Sequence, residues 1–257
     1  MLQPITTFDI TVKFETDLPI HQSMGSVFHG IIMQYIDTDY ATELHRSQVH
    51  PYRQFVFFDD KSQSYIWRII TFSYTCETQI RSMLESLPNK VFVRQKQLYL
   101  DIVTMSISST SHDALCELLL GPNLDDPADI QEIQINFKTC TSFKSQDAYQ
   151  PFPDLERIFQ SLLKRWNAFS ETYTFTAPGL AKELCQATTL VDYRIQFKPY
   201  RVDRTQIPAF IGYYTVRFKK NHSLAPLAML LLFYSQFTGV GIKTALGMGG
   251  IQIKTDS

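Results

Sequence analysis

The order of strand-like and helix-like patterns constrains the fold of this chain more than any other feature of its sequence. Residues 5–14, ITTFDITVKF, alternate as a half-buried strand does, and one apolar face at helical spacing follows, made by Met24, Val27, Phe28, Ile31 and Tyr35. Two aromatic and β-branched runs, QFVFFD and SYIWRIITFSY, then predict a hairpin. A helix near residues 76–87 and the strands KVFV and QLYLDIVTMSIS complete a β-α-β-β-α-β order, which predicts a ferredoxin-like, or RNA-recognition-motif-like, domain.

The same order starts again in the second half of the chain. Residues 121–132, GPNLDDPADIQE, are rich in Pro, Asp and Gly and predict a linker. After it come the strand IQINFKTC, two helical stretches, the strands TLVDYRIQF and IGYYTVRFKK, the helix LAPLAMLLLFYSQF and the strand IQIK. We therefore predict an α+β chain of two tandem ferredoxin-like domains, residues 1–125 and 126–257, from element order alone.

A glycine-rich loop, GVGIKTALGMGG, precedes the last strand and holds five of the ten glycines of the protein. Its spacing fits neither the dinucleotide fingerprint nor the nucleotide P-loop. Glycine permits positive φ and a close approach of the main chain, and successive backbone N–H groups can bind an anion. The residues alone leave two interpretations open, an ordinary turn and a phosphate-binding loop.

The charge distribution favours a polyanionic partner although the net charge is only −1. Residues 97–137 contain seven acidic residues and neither Lys nor Arg, whereas residues 185–257 contain nine Lys and Arg against three Asp. A basic region of this kind is typical of nucleic-acid binding, and a solvated basic surface without a partner is the alternative.

Three stretches resemble one known family. GVGIKTALGMG is similar to the C-terminal G-h-G-x5-G-h-G loop, where h is hydrophobic, of the CRISPR-associated repeat-RNA endoribonucleases. These belong to the repeat-associated mysterious protein (RAMP) superfamily. MGSVFHGIIMQYIDTDYATELHRS resembles their N-terminal part, in which a Leu-His dipeptide follows a helix, and PFPDLERIFQSLLKRWNAF resembles the branch associated with type III interference systems. The resemblance covers most of the chain.

The resemblance implies an endoribonuclease that binds repeat RNA across two ferredoxin-like domains and cleaves CRISPR precursor RNA within each repeat. It implies cleavage without a metal ion or another cofactor, with the neighbouring 2′-hydroxyl as nucleophile and a 2′,3′-cyclic phosphate and a 5′-hydroxyl as products. Backbone amides of the loop would then approach RNA phosphates, at Gly239, Gly241, Lys243, Thr244, Gly247 and Gly249. The alternative function is a subunit of a CRISPR effector complex that holds guide RNA without cutting it.

The resemblance also suggests which residues would be catalytic. His45 occupies the Leu-His position, and His29, at the edge of the apolar stripe of the first helix, is the second candidate proton carrier. Arg53 falls near the catalytic lysine of the family and is the candidate for stabilising the phosphorane. A surface histidine, a packed histidine and an exposed arginine are the respective alternatives. His50 stays open as a further proton carrier.

Tyr35 lies at the centre of the apolar face, and we interpret it as a core residue. The strand TLVDYRIQF alternates as a half-buried strand would, with Arg194 and Lys198 on one side, and Arg201 and Arg204 continue into the next loop. These four basic residues predict an RNA-binding hairpin. A charged edge strand that suppresses aggregation is the alternative.

Location and partners follow from the same sequence. The N-terminus has no signal-peptide pattern, no stretch reaches the roughly 18 apolar residues of a membrane span, and the four cysteines form no C-x-x-C pair. We expect a cytoplasmic protein with repeat RNA as its partner and no membrane contact. Transient association with a type III effector complex is a further expectation, and the sequence is compatible with a homodimer.

Overall fold

Strand-forming sequences in the N-terminal part of the chain build a five-stranded sheet. The computed structural model describes residues 3–16, 20–121, 129–202 and 205–255. The first elements along the chain are β1 (Pro4–Phe14), a 3-10 turn (Gln22–Met24), α1 (Gly25–Tyr35), α2 (Thr38–Arg46), β2 (Tyr52–Asp59), β3 (Ser64–Thr71), α3 (Tyr74–Ser86), β4 (Lys90–Val93) and β5 (Leu98–Ser111). The strand order in the sheet is β2-β3-β1-β5-β4.

This sheet has the ferredoxin-like arrangement with one extra strand. The alternation in β1 buries Phe8, Ile10, Val12 and Phe14, and β1 and β3 are antiparallel with Ile10 opposite Trp67. Residues of α1, α2 and α3 complete the same core, and β4 adds a hairpin to β5 at the sheet edge. The period-two pattern of β1 therefore supplies one side of the core, as the sequence predicts.

The segment between β1 and β2 contains two helices. α1 ends at Tyr35, and Asp37 begins α2 by accepting a hydrogen bond from the Tyr40 N–H at 2.9 Å. Asp at this position satisfies one of the free N–H groups of a helix start. His45 lies in the last turn of α2, so the Leu-His dipeptide is part of a second helix.

A second sheet of four strands follows. The elements are α4 (His112–Leu120), β6 (Glu132–Thr141), β7 (Phe143–Ser145), β8 (Ala148–Gln150), α5 (Leu155–Phe169), α6 (Leu180–Gln186), β9 (Thr188–Phe197), β10 (Tyr200–Val202), β11 (Thr205–Ile207), β12 (Phe210–Phe218), α7 (Ala225–Thr238), a 3-10 turn (Thr244–Leu246) and β13 (Ile251–Thr255). The strand order is β13-β6-β12-β9, which is the ferredoxin-like order for the four strands β6, β9, β12 and β13. β7 pairs with β8 and β10 with β11 in two small hairpins.

The contacts divide the chain into two compact units. We call Pro4–Ser109 with Lys243–Gly247 the first unit, and Thr110–Ile242 with Met248–Ser257 most of the second unit. The division at 109/110 precedes the predicted boundary at 125/126, because α4 packs against α7 and its residues Leu115 and Leu119 are buried. Residues 122–128 of the predicted linker lie outside the described residues.

In the described part of the chain, every helix is too short or too polar to cross a membrane.

Candidate active site

A histidine and a tyrosine meet where α1 packs on β2. His29 follows the buried Phe28 in α1, and Tyr52 is the first residue of β2 and fully buried. The Tyr52 hydroxyl lies 2.9 Å from His29 Nδ1, and the two rings are almost parallel, with an interplanar angle of 9°. His29 is half-buried, so its ring is held by the fold on one side and partly exposed to solvent.

Two further histidines lie close to this pair. The ring of His50 is 6.1 Å from that of Tyr52, and His45 at the end of α2 is exposed. The pKa of His29 is lowered to about 4, mainly by burial and to a smaller extent by electrostatic repulsion from His50 and then His45. His29 is therefore neutral at pH 7. We call His29, His45 and His50 the histidine cluster.

The histidine cluster includes the two histidines that the sequence suggested first and the one that it left open. Imidazole is the side chain best suited to move protons near neutral pH. In the described ranges, no group of three or more His, Cys, Asp or Glu residues is arranged to hold a metal ion.

Arg53 does not join the histidine cluster. Successive residues of a strand point to opposite faces of the sheet, so Arg53 points away from the side on which Tyr52 contacts α1. Its guanidinium lies over the Phe55 ring at 4.6 Å from the centroid, and its side chain is only 1% exposed. The exposed-arginine alternative is therefore wrong, and the predicted place beside a scissile phosphate disagrees with the direction of the side chain.

Tyr52 is the site residue that sequence analysis missed. Tyr35, in contrast, packs partly buried against the core of the first unit, as its position on the apolar face predicted. Burial raises the pKa of Tyr52, so its phenol keeps its proton. The sequence signal for Tyr52 is the alternation in β2, which places Tyr52 and Gln54 on one face of the strand. This alternation does not show which element packs against that face.

The glycine-rich loop uses its amides inside the protein. Each of its five glycine N–H groups donates a hydrogen bond: Gly239 to Ser235 O, Gly241 to Ser161 Oγ, Gly247 to Thr244 O, Gly249 to Cys140 O and Gly250 to Thr139 Oγ1. An RNA phosphate could take these donors only by breaking hydrogen bonds of the fold. The predicted phosphate contact through the glycine amides therefore conflicts with the structure.

Gly241 shows why this loop needs glycine. Its φ is +78°, and a Cβ atom placed there would lie 2.3 Å from the carbonyl oxygen of Ser142. Arg165 of α5 donates from Nη2 to the Gly241 carbonyl at 3.3 Å. Close backbone packing and a left-handed conformation, both of which glycine permits, explain this position.

The middle of the loop belongs to the first unit. Lys243 has φ +53° and is exposed, whereas Thr244 and Ala245 are buried. The buried Gln54 donates from Nε2 to Ala245 O at 2.9 Å and to Gly25 O at 2.7 Å. Gln54 thus ties the loop to the first residue of the helix that bears His29.

The basic strand β9 lies at the edge of its sheet. Arg194, Lys198 and Arg201 are exposed as predicted, but the expected half-buried strand is wrong, because both faces of β9 are open. Tyr193 and Phe197, on the face opposite Arg194, are each 60% exposed. Arg204 lies outside the described residues.

Comparison with known proteins points to the same family as the sequence motifs. Residues 135–251 match the family model of the CRISPR-associated endoribonuclease Cas6. The chain is 28% identical over 239 residues to a CRISPR-associated endoribonuclease Cas6 of Streptococcus thermophilus, covering 91% of this chain and 92% of that protein. It is 26% identical over 250 residues to the Mycobacterium tuberculosis Cas6, covering 95% of this chain and 77% of that protein.

The fold agrees with a solved structure. A Cas6 product complex superposes with a TM-score of 0.74 at 19% identity, covering 99% of this chain and 100% of that chain. The family model, the relatives and the two ferredoxin-like sheets agree, and over most of its length the chain is similar to the CRISPR-associated endoribonuclease Cas6 family.

Proposed function

We propose that this protein is an endoribonuclease that cleaves CRISPR precursor RNA within its repeats and so produces crRNAs. The histidine cluster supports the assignment, because it places three imidazoles together on the first unit at the position of the Leu-His dipeptide of the family. Similarity to the CRISPR-associated endoribonuclease Cas6 proteins supports the substrate class.

The proposed reaction needs no group other than the RNA and protein side chains. The 2′-hydroxyl next to the scissile phosphate loses its proton and forms a bond from O2′ to phosphorus, and the bond from phosphorus to O5′ breaks. O5′ takes up a proton, which gives a 5′-hydroxyl and a 2′,3′-cyclic phosphate. The protein must accept one proton, supply one proton and stabilise the phosphorane charge between these events.

The cluster has groups for these tasks. His45 is exposed in the last turn of α2 and is the first candidate proton carrier, and His50, whose ring lies 6.1 Å from that of Tyr52, is the alternative. His29 completes the site. Arg53 is a poor candidate for the phosphorane because it points to the other face of β2, whereas the exposed Lys243 adds a positive charge to the first unit.

RNA binding is assigned to exposed cations. Arg194, Lys198 and Arg201, with Arg204 retained from the sequence, would contact phosphates, and Lys243 would do so from the glycine-rich loop. The glycines of that loop would then serve its conformation. The same proposal places the protein in the cytoplasm. It includes transient association with a type III effector complex and formation of a homodimer.

One experiment separates an enzyme from a binder. The chain is mixed with labelled repeat RNA in excess chelator, and with the same RNA carrying 2′-deoxyribose at the cut site. Cleavage of the first RNA and binding of the second without cleavage are expected. A mobility shift of the unmodified RNA without products would favour the non-catalytic guide-RNA-binding subunit, and a strict need for a divalent ion with prefolded RNA would contradict the metal-free mechanism.

A further inference from the structure

The hydrogen bond between Tyr52 and His29 determines which nitrogen of the imidazole bears the proton. A neutral histidine has one protonated and one unprotonated ring nitrogen. The distance of 2.9 Å between Tyr52 Oη and His29 Nδ1 fits either direction of donation. The direction therefore has to follow from the surroundings of the tyrosine.

Burial of Tyr52 decides that direction. A buried hydroxyl that donates no hydrogen bond costs about 1–3 kcal/mol. Tyr52 is 0% exposed, and His29 Nδ1 lies within hydrogen-bond distance of its hydroxyl as an acceptor. The phenol therefore donates to Nδ1, and the proton of the neutral imidazole resides on Nε2.

The neighbours of His29 keep the ring in this state. Burial and the charges of His50 and His45 hold the pKa of His29 near 4, so Nδ1 stays an acceptor at neutral pH. Tyr52 keeps its own proton because burial raises its pKa. Because Nδ1 accepts the hydrogen bond from Tyr52, Nε2–H is the polar group of His29 that is available to a ligand.

The position of α1 is held at a second point. Gln54, on the same face of β2 as Tyr52, donates to Gly25 O and accepts from Trp67 Nε1 at 3.2 Å, and its side chain is buried. β2 thus holds α1 both at its first residue and at His29. The Nε2–H direction is consequently set by the fold, not by the freedom of a surface side chain.

We propose that Tyr52 is a positioning residue that holds His29 as a neutral Nε2–H donor, and that His29 donates a hydrogen bond to a non-bridging phosphorane oxygen. This role rests on the proposed endoribonuclease function. His29 gains and loses no proton in the reaction, so the proton from O2′ and the proton delivered to O5′ both pass through His45 and His50. Removing one preorganised donor to a developing oxyanion typically costs about 10²–10³-fold in rate.

Substitutions of His29 distinguish a donor from a proton carrier. Glutamine offers an amide N–H close to the place of Nε2–H but moves no proton at neutral pH. In single-turnover cleavage at saturating repeat RNA, His29→Ala is expected to lose about 10²–10³-fold, and His29→Gln to recover at least about tenfold of that loss. A His29→Gln rate equal to that of His29→Ala would overturn the donor role.

Removing the Tyr52 hydroxyl tests the positioning role. In Tyr52→Phe the ring remains, and we expect about a tenfold slower cleavage with RNA affinity and melting temperature little changed, by analogy with other partners that orient a histidine. Nitrogen-15 NMR of the imidazole is expected to show protonated Nε2 in the parent and a mixture of tautomers in Tyr52→Phe. Tyr234→Phe is the matched control, because this buried tyrosine also contacts a histidine but lies in the second unit.

Failure of the inference and failure of the function give different results. A parent with protonated Nδ1 overturns the positioning role even if the chain cuts repeat RNA at the normal rate. If His45→Ala abolishes cleavage and His29→Gln cleaves as slowly as His29→Ala, the chain remains the proposed enzyme, but His29 is not the proposed donor. A parent that binds repeat RNA and never cuts it overturns the function and the role of His29 together.

Discussion

Two histidine–tyrosine pairs in this protein share almost the same local chemistry. In the first unit Tyr52 contacts His29 Nδ1 at 2.9 Å, and in the second unit Tyr234 contacts His112 Nε2 at 3.0 Å. Burial is the main cause that lowers the pKa of each histidine to about 4, and burial raises the pKa of each tyrosine. By these measures alone the two pairs are equivalent.

Their surroundings differ. His112 is 4% exposed, with the ring of Trp166 edge-on at 4.8 Å, so its polar atoms face other core residues. His29 is half-buried and has two further histidines near it. A perturbed pKa is thus a property of burial, and access together with groups that can exchange protons distinguishes the candidate site. We expect variants of the first pair to change the cleavage rate and variants of the second to change stability.

The largest effect is expected for His45→Ala, which removes the exposed imidazole near the first pair. Losing a general acid or base should slow single-turnover cleavage by roughly 10²–10⁴-fold, with little change in repeat-RNA affinity. His222→Ala, in the second unit, is the matched control. Parental cleavage by His45→Ala would shift the proton transfers to His50 and remove the main contrast between the two regions.

The glycine-rich loop should respond as the second region does, through stability. Gly241→Ala places a Cβ against Ser142 O at a positive φ, and strain and overpacking together should destabilise the fold by roughly 3 kcal/mol. Gly179 has the same φ of +78° but open space around a Cβ, so Gly179→Ala should cost only about 1–2 kcal/mol. Urea denaturation and RNA affinity of the folded fraction are the measurements. Lost affinity at parental stability would restore the phosphate-binding interpretation.

His112→Ala tests the enclosed pair directly. It leaves the buried Tyr234 hydroxyl without its histidine and creates a cavity, for which we expect a loss of roughly 2–3 kcal/mol in the free energy of unfolding. The cleavage rate per folded molecule should stay at the parental value, in contrast to that of His29→Ala. If His112→Ala slowed cleavage at unchanged stability, the distinction between the two pairs would be wrong.

Acid should weaken the fold through the same buried histidine. Because the folded-state pKa of His112 lies near 4, below its ordinary value of 6.5, the unfolded chain takes up the proton first as the pH falls. The stability due to neutral His112 is therefore complete above pH 6.5 and is lost toward pH 4, by on the order of 2 kcal/mol between pH 7 and 5. The measurement is the free energy of unfolding of the parent and of His112→Gln at pH 7 and pH 5. An equal loss of stability in the two proteins would exclude His112 as the cause.

The order of patterns along the sequence was sufficient to predict both ferredoxin-like sheets. Their core strands bury alternate residues, and amphipathic helices such as α5 bury every third or fourth, so local periodicity already states which side faces the core. His45 and His29 were likewise proposed as proton carriers from sequence, because the Leu-His dipeptide and the helix before it are contiguous in the chain. The helix break at Asp37 was missed, although Asp is a common helix-starting residue.

Other features depended on residues that are distant in sequence. Strand alternation places Tyr52 and Arg53 on opposite faces of β2, but the packing of α1 on β2 shows which of the two faces His29. The glycine pattern likewise predicted an unusual backbone, whereas the acceptors at Ser142 and Ser161 decided that its amides serve the fold. Periodicity reports the environment of a side chain averaged over one element. The partner of an individual hydrogen-bonding group is chosen by tertiary packing, which brings together atoms that are far apart in the chain.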